Sequence, residues 1–261
     1  MQATIQQFKA RDLFIKIAEV ASTLSHKGRL FNQHLVEQFE EWNRVDMQKI
    51  VGVRVIPDEH LLFYKAVAET LSWLQQIPPP KEGNRNDLMD RLSPVPVIYL
   101  QVLLEARGGL SKRASQRLEE LLEQRQKEAN VKRPRRLLAV LAGLETWARV
   151  ELPDVSASEA LDLEEVQRLA LNAAGRAKWT ALAPLKMYAL YKGPDLATPR
   201  TIFPPMGSAV SRGIERLFGF SLGESGNDYM VSRGLHLKLA DLAHASIWDI
   251  NSGLYRLGGG A

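Results

Sequence analysis

Cysteine is absent from the sequence. Its absence excludes disulfide-stapled scaffolds, zinc sites with thiolate ligands and cysteine nucleophiles, and it leaves no evidence for an oxidising compartment. Long hydrophobic runs are also absent: no stretch reaches the roughly 18 apolar residues of a membrane span, and the polar N-terminus does not form a signal peptide. We therefore expect a cytoplasmic protein that does not have a membrane as a partner.

Aromatic residues make up only 7% of the chain, and the sequence contains no strong catalytic motif. The glycines of the C-terminal third form no phosphate-binding loop and no dinucleotide fingerprint, which argues against nucleotide binding. No cofactor is therefore predicted. Hydrophobic residues at 45% and charged residues at 25% of 261 positions are typical of a globular chain with one large domain or two small ones.

Apolar residues recur at helical spacing along most of the chain and predict an all-α fold, a multi-helix globular bundle that comprises one body or two helical subdomains. The proline triplet that begins at Pro78 cannot continue a helix, because proline lacks an amide hydrogen. We therefore predict an N-terminal helical subdomain over 1–77 and a Pro-rich linker over 78–93. A second helical subdomain over 94–261 contains a cluster of basic residues and the C-terminal helices.

In the N-terminal part, a first helix is predicted over 3–25, and Gly28 can take the left-handed conformation that ends helices. A second apolar series continues to about residue 43. The β-branched run over 50–56 is the one credible strand, and an extended linker is an equally good interpretation because one isolated strand makes no sheet. Asp58 and Glu59 then predict the start of a helix that reaches residue 77, because acidic side chains are favourable at a helix N-terminus.

In the C-terminal part, Ser156 and Glu159 have the spacing of a capping box at the start of a helix. Residues 193–206 include four prolines and predict a long ordered loop or a lid. A short helix over 208–218 should end at Gly219, and one or two helices should follow over 227–257.

Charge is unevenly distributed along the chain. Although the net charge is only +4, residues 107–136 contain ten basic and four acidic residues, and residues 145–165 contain one basic and seven acidic residues. A concentration of lysine and arginine favours a polyanionic partner, because each contact with a phosphate releases counterions. We call residues 107–136 the basic block.

The predicted nucleic-acid-binding residues belong to the basic block and to two later segments. Four cations flank Pro134 in the turn over 131–136 without an acidic neighbour, so they should face solvent. The start of the helix over 208–218 offers free backbone amides for a phosphate, beside two arginines. The full set is Lys112, Arg113, Arg117, Arg125, Lys127, Lys132, Arg133, Arg135, Arg136, Arg176, Lys178, Arg212 and Arg216.

A purely structural interpretation of these charges stays open. Arg117 with Glu120, and Glu123 with Lys127, have the spacing of ordinary pairs on a helix face. An ordinary capped helix over 208–218 would also leave its arginines in water.

Two histidines near the C-terminus are candidates for acid–base chemistry. His244 lies three residues after Asp241, and this pair could provide a general base or a single metal ligand. His236 lies eight residues before His244, about 12 Å along a helix, which is too far for one zinc ion to join the two rings. We therefore predict no metal site and expect structural histidines.

The leading hypothesis is a helical, non-catalytic protein that binds the phosphates of DNA or RNA through the basic block. Gly108 and Gly109, followed by Lys112 and Arg113, have an acceptable pattern for a helix-turn-helix motif, but no sequence specificity follows from it. DNA repair or defence would be fitting roles for such a protein.

An enzyme that acts on nucleic acid is the second hypothesis. Lys178 or Lys186 precedes the proline-rich loop over 193–206, and this order is similar to that in helical DNA glycosylases, where an acidic residue starts the next helix. The likeness covers less than a third of the chain. The sequence departs from the pattern because residues 206–208 are Met-Gly-Ser and no Leu-Pro-Gly-x-Gly hairpin occurs.

The third hypothesis is a protein-interaction subunit of a larger assembly. The acidic segment over 145–165 and the basic block would then select partners by complementary charge.

Overall fold

The structure is a computed structural model that describes residues 2–43, 58–75, 99–100, 103–104, 142–144, 146–155, 159–174, 178–193, 196–223 and 225–260. It describes the backbone alone for residues 2–13, 41–43, 72–75, 174 and 178–180. All regular structure in these ranges is helical, which confirms the all-α prediction. The helices with described bounds are α1 (Gln2–Asn43), α2 (Asp58–Gln75), α3 (Leu163–Ala174), α4 (Lys178–Lys192), α5 (Ser208–Phe218), α6 (Gly226–Ala243) and α7 (Ile247–Leu257).

The chain separates into two compact units. Unit 1 comprises Met1–Glu37 and Arg200–Ala261, and unit 2 comprises Gln38–Pro199. The predicted linker over 78–93 and the candidate strand over 50–56 lie outside the described residues. The division into subdomains over 1–77 and 94–261 therefore stays a prediction. Among the described helices, none has the length and apolar character that crossing a lipid bilayer requires.

Helix α1 continues through Gly28 to Asn43, so the predicted helix end at Gly28 is wrong. A Cβ atom at Gly28 would lie 1.7 Å from the carbonyl oxygen of Asp249 in α7, and one at Gly253 in α7 would lie 2.2 Å from the carbonyl oxygen of Leu24 in α1. The two backbones thus approach more closely than any side chain would permit. Glycine at position 28 serves this helix crossing and does not end the helix.

A second crossing of the same kind joins α5 to α7. A Cβ atom at Gly213 would lie 2.2 Å from the carbonyl oxygen of Leu254, and one at Gly258 would lie 1.7 Å from that of Ala209. At each crossing, each of the two segments therefore contributes one glycine. As a result, the short helix α7 lies in backbone contact with α1 and with α5 and forms the centre of unit 1.

The ends of α5, α6 and α7 follow local rules. Helix α5 occupies the predicted range over 208–218, and its C-cap Gly219 has the left-handed φ of 75°. The segment predicted over 227–257 forms two helices, because His244 has a φ of 48° and breaks the α-helical course. Ser225 and Ser246 cap α6 and α7, since each side chain accepts a hydrogen bond from the backbone amide three residues later.

Unit 2 is built around α4, which contacts both α2 and α3. Helix α2 begins with Asp58 and Glu59, as predicted. The ring of Phe63 lies with its centroid 5.0 Å from that of Trp147 and 5.4 Å from that of Tyr188, and all three side chains are buried. These aromatic contacts hold α2 against α4 and against the helical residues over 146–149.

The predicted capping box at Ser156 and Glu159 is wrong as the start of α3. Glu159 lies outside the helix, Ser156 lies outside the described residues, and α3 begins at Leu163. Asp162 caps this helix instead: its Oδ1 atom accepts hydrogen bonds from the amides of Glu164 at 2.9 Å and Glu165 at 3.3 Å. An aspartate directly before the first helical residue satisfies the free amides better than a serine farther upstream.

Candidate functional site

Most of the predicted nucleic-acid-binding residues lie outside the described residues. This holds for the whole of the basic block and for the arginine that precedes α4, and only the backbone is described for the first residue of α4. The residues concerned are Lys112, Arg113, Arg117, Arg125, Lys127, Lys132, Arg133, Arg135, Arg136, Arg176 and Lys178. Their role stays a prediction, and the described geometry bears on Arg212 and Arg216.

Arg212 and Arg216 lie one turn apart on α5 and both reach the end of α7. Nε of Arg212 donates a hydrogen bond to the carbonyl oxygen of Gly258 at 2.9 Å, and Nη1 of Arg216 donates one to the carbonyl oxygen of Leu257. Carbonyl groups at a helix C-terminus lack helical partners and carry partial negative charge, so cations are favourable there. The two guanidinium groups thus contribute to the packing of α5 on α7.

The first turn of α5 lacks the acidic residue that the glycosylase-like hypothesis requires. Gly207 is its N-cap without a side-chain hydrogen bond, and the first turn contains no acidic residue. Lys186, one of the two candidate lysines, is buried on α4. The first turn of α5 thus supplies no carboxylate of the kind this hypothesis needs, and the enzymatic role stays a prediction.

The proline-rich loop is ordered against α6 and α7. Asp241 on α6 accepts two hydrogen bonds from the guanidinium group of Arg200, at 3.1 and 2.9 Å. Arg233 on α6 donates to the carbonyl oxygen of Thr201 at 3.2 Å, and its guanidinium carbon lies 4.9 Å from the centroid of the Phe203 ring. These contacts place residues 200–203 along α6.

Asp241, the acid considered from the sequence as the partner of His244, binds Arg200. The carboxylate of Asp241 is engaged by Arg200, whose hydrogen bonds hold the pKa of that carboxyl group below its usual range. His244 is the exposed cap of α6. Within the described part of the chain, no group of three or more histidine, aspartate or glutamate side chains could hold a metal ion.

His236 is a structural histidine at the centre of unit 1. Its side chain is fully buried, and Nδ1 donates a hydrogen bond to the carbonyl oxygen of Ser232 at 2.7 Å. Nε2 accepts a hydrogen bond from the amide of Asn251 at 3.2 Å. The same amide also donates to the carbonyl oxygen of Pro205 at 3.0 Å. Through this neutral imidazole and the amide of Asn251, α6 and α7 are connected to the proline-rich loop.

A second buried polar chain connects α1 to α7. The hydroxyl of Ser252 donates to Oδ1 of Asn32 at 2.6 Å, and the amide of Asn32 donates to Oδ1 of Asp249 at 2.9 Å. Both polar groups of the Asn32 side chain thus have hydrogen-bond partners on α7, close to the helix crossing at Gly28. No sequence pattern indicates these hydrogen bonds, because Asn32 lies more than 200 residues from both of its partners.

Unit 2 contains a part-buried layer of carboxylate–phenol pairs that no sequence pattern indicated. The hydroxyl of Tyr188 donates to Glu59 and accepts from the amide of Leu161 at 2.9 Å. Nζ of Lys192 donates to the other carboxylate oxygen of Glu59 at 2.9 Å. The hydroxyl of Tyr191 donates to Glu69. The only sequence signal was the presence of acidic residues within the apolar pattern of α2.

The two phenols of this layer, and that of Tyr99 elsewhere in unit 2, are held in their neutral form. Burial, together with the hydrogen bond to Glu59, raises the pKa of Tyr188 above its ordinary value of 10.0. Burial and Glu69 raise the pKa of Tyr191 in the same direction, and burial alone raises that of Tyr99. Protonation of these phenols therefore stabilises the folded chain relative to the unfolded chain.

We expect unit 2 to lose stability in base. Below pH 10.0, folded and unfolded chains both keep these phenolic protons, so the contribution is fully present. Above that pH the unfolded chain loses protons that the folded chain retains, and each such phenol lowers the free energy of unfolding by about 1.4 kcal/mol per pH unit. Urea unfolding between pH 8 and pH 11 measures this dependence of the free energy of unfolding on pH. Tyr188→Phe should make the slope less steep by the contribution of one phenol. An unchanged slope in this variant would contradict the assignment.

The comparisons with known proteins add no functional information to this geometry. No protein-family model, no curated protein and no solved structure matches the chain.

Proposed function

We propose that the chain is a non-catalytic nucleic-acid-binding protein whose basic block contacts the phosphates of DNA or RNA. One observation carries the proposal: residues 107–136 contain ten basic and only four acidic residues. The imbalance is greatest from Arg125 to Arg136, where six cations accompany a single acidic residue, Glu128. One carboxylate cannot neutralise six cations, so pairs between near neighbours leave this segment with an excess of positive charge.

The charge of the rest of the chain supports the same assignment. Outside the basic block, the chain contains 24 basic and 26 acidic residues, so the positive net charge resides in that block. Several cations outside the block bind groups of the chain itself: Arg200 binds Asp241, Lys192 binds Glu59, and Arg212 binds the end of α7. Their contacts are internal, which favours the basic block as the surface for a polyanion.

The binding expected from such a segment is electrostatic and shows little sequence preference. Each lysine or arginine that neutralises a phosphate releases condensed counterions, so the affinity falls as salt is added. With about six phosphate contacts, the logarithm of the association constant should fall with the logarithm of the salt concentration with a slope of about −5. Specificity for DNA or RNA would need contacts to bases or to the 2′-hydroxyl group.

Charge reversal within the basic block tests the proposal. In a double variant, Arg135→Glu with Arg136→Glu, we expect the affinity for a fluorescent oligonucleotide at about 50 mM salt to fall at least tenfold, and the salt slope to decrease by about 2. Fluorescence anisotropy over a salt titration with single- and double-stranded DNA and RNA gives both quantities.

The matched control is Lys16→Glu with Lys27→Glu, which makes the same change in net charge at two exposed positions of α1. We expect this variant to lose less than threefold in affinity, since long-range attraction is screened at that salt concentration. Equal losses in the two double variants would mean that binding follows net charge alone. Absence of binding by the wild-type chain at low salt would reject the proposal, and retention of a protein partner through the basic block would favour the interaction-subunit hypothesis instead.

A further inference from the structure

Three exposed arginines meet at the C-terminal end of α7 in unit 1. Arg212 and Arg216 of α5 donate hydrogen bonds to carbonyl oxygens of the segment over 257–260. Nη1 of Arg256, on α7 itself, donates to the carbonyl oxygen of Gly260 at 3.1 Å. Four consecutive residues span at most about 11 Å, so the three guanidinium groups converge on one short stretch of backbone. We call these three residues the arginine cluster.

The arginine cluster has little negative charge to balance it. Within the described residues, none of its three members forms an ion pair with a carboxylate. Other exposed arginines of unit 1 do so: Nη2 of Arg200 lies 2.9 Å from Asp241, and Nε of Arg29 lies 3.7 Å from Asp249. Glu215 lies on α5 between the two arginines of that helix, is exposed and bonds to neither. The cluster thus places three positive charges beside one carboxylate.

Each guanidinium group of the cluster keeps donors for a ligand. Arginine has five N–H donors in a planar fork, and each of these side chains uses one of them on a backbone carbonyl group. The guanidinium carbon of Arg256 also lies 5.5 Å from the ring centroid of Phe31. Because such contacts already orient the groups, a ligand that binds the remaining donors has less conformational entropy to overcome.

The local charge favours an anion, although a helix C-terminus alone does not. The macrodipole of α7 places about −0.5 elementary charge at this end, and the carboxylate of Glu215 adds one negative charge. Three guanidinium groups outweigh both and leave an excess of about 1.5 positive charges. The carbonyl oxygens that carry the partial negative charge are the ones that accept hydrogen bonds from the arginines, so they are shielded from an incoming anion.

We propose that Arg212, Arg216 and Arg256 form a phosphate-binding site at the end of α7. A carboxylate has two oxygens and matches one guanidinium fork, whereas a phosphate group offers enough oxygens for several arginines. The phosphate belongs either to a free phosphorylated molecule or to a nucleic-acid strand, and the recognition chemistry is the same in both cases. The site lies outside the basic block and does not depend on the function proposed for it.

Titration of the full chain with inorganic pyrophosphate, followed by NMR at about 20 mM salt, tests the site. We expect saturable shifts of the backbone amides of residues 258–260 and of the arginine Nε–H groups, with a dissociation constant on the order of 1 mM. Arg256→Gln should weaken binding at least fivefold, because it removes one charged donor group. This variant leaves the bonds between α5 and α7 in place, and its melting curve without ligand verifies the fold.

The matched control is Arg200→Gln, which removes the same charge from an exposed arginine of unit 1 that is already paired with Asp241. We expect it to change the affinity for pyrophosphate less than twofold. Arg256→Lys keeps the charge and loses the planar fork, so it should weaken binding at least threefold. Absence of saturation up to about 20 mM pyrophosphate would overturn the proposal. Equal weakening in the two glutamine variants, or wild-type affinity in Arg256→Lys, would also overturn it, because either result indicates attraction by net charge alone.

A single-stranded oligonucleotide identifies the source of the phosphate. It is added to the double variant Arg135→Glu with Arg136→Glu, in which the basic block is weakened. Shifts of the amides of residues 258–260, with a salt slope that Arg256→Gln reduces by about 1, would assign the site to a nucleic-acid strand. Shifts with pyrophosphate alone would assign it to a free phosphorylated molecule. Both results support the site, and failure of the basic block to bind nucleic acid would leave the pyrophosphate result unchanged.

Discussion

Alanine at position 28 is expected to destabilise unit 1 by about 3 kcal/mol, although alanine favours helices more than glycine does. The reason is steric: the new Cβ atom would lie 1.7 Å from the carbonyl oxygen of Asp249, a backbone atom that cannot rotate away. Helices α1 and α7 must move apart by more than an ångström. This movement also lengthens the hydrogen bond between Asn32 and Asp249, which is 2.9 Å in the structure.

Hydrogen–deuterium exchange measures this effect where it arises. In Gly28→Ala we expect faster exchange of amides in α7, which crosses α1 at Gly28. Amides of α5 should also exchange faster, because α5 packs on α7. Gly234→Ala is the matched control, since it makes the same substitution inside a helix of the same unit at an open position. The two variants should differ in the sign of their effect on stability. Similar stabilities would show that the close crossing is not present in solution.

Removal of the His236 imidazole is the second large effect that we expect. His236→Ala should lower the free energy of unfolding by about 3 kcal/mol, because it creates a cavity and leaves polar groups without their partner. The ring is fully buried and joins the carbonyl oxygen of Ser232 to the amide of Asn251. The amide would keep its bond to Pro205 and lose the bond to the ring.

Thermal unfolding is the measurement for this variant, with an expected decrease of roughly 12–24 °C in the transition of unit 1. His26→Ala, on the exposed side of α1, removes the same ring without burial and should change the transition by less than about 2 °C. Equal shifts would contradict the central position of His236. We also expect His236→Ala to retain nucleic-acid binding below its transition, because the basic block is a separate segment.

Two helix boundaries that depend on neighbouring residues were predicted correctly, whereas the capping box at Ser156 and Glu159 was wrong. The acidic pair at the start of α2 and the glycine at the end of α5 act through the backbone next to them, so a short window of sequence contains the necessary information. The prediction at Gly28 was wrong for an equally physical reason. A glycine that ends a helix and one that admits a second backbone look alike in sequence, and they differ only in the neighbour that tertiary packing provides.

For the candidate site, too, local features could be predicted from the sequence and distant contacts could not. The basic block was recognised because a local excess of ten basic over four acidic residues is a property of the sequence, and its contact with a polyanion stays a proposal. The roles of Arg212 and Arg216 could not be inferred in this way. Their acceptors are carbonyl groups 46 and 41 residues away, and a sequence pattern does not show which charges will meet such groups.

The amino-acid sequence alone determined the helical class, several helix ends and the segregation of charge, since these follow from the spacing and composition of residues close together in the chain. Tertiary structure decided which glycines admit the backbone of a second helix and which polar residues meet, as in Asn32 with Asp249 and Glu59 with Tyr188. These contacts join residues 217 and 129 positions apart, and their energy depends on close fit and the exclusion of water. Both conditions arise only when the chain has folded.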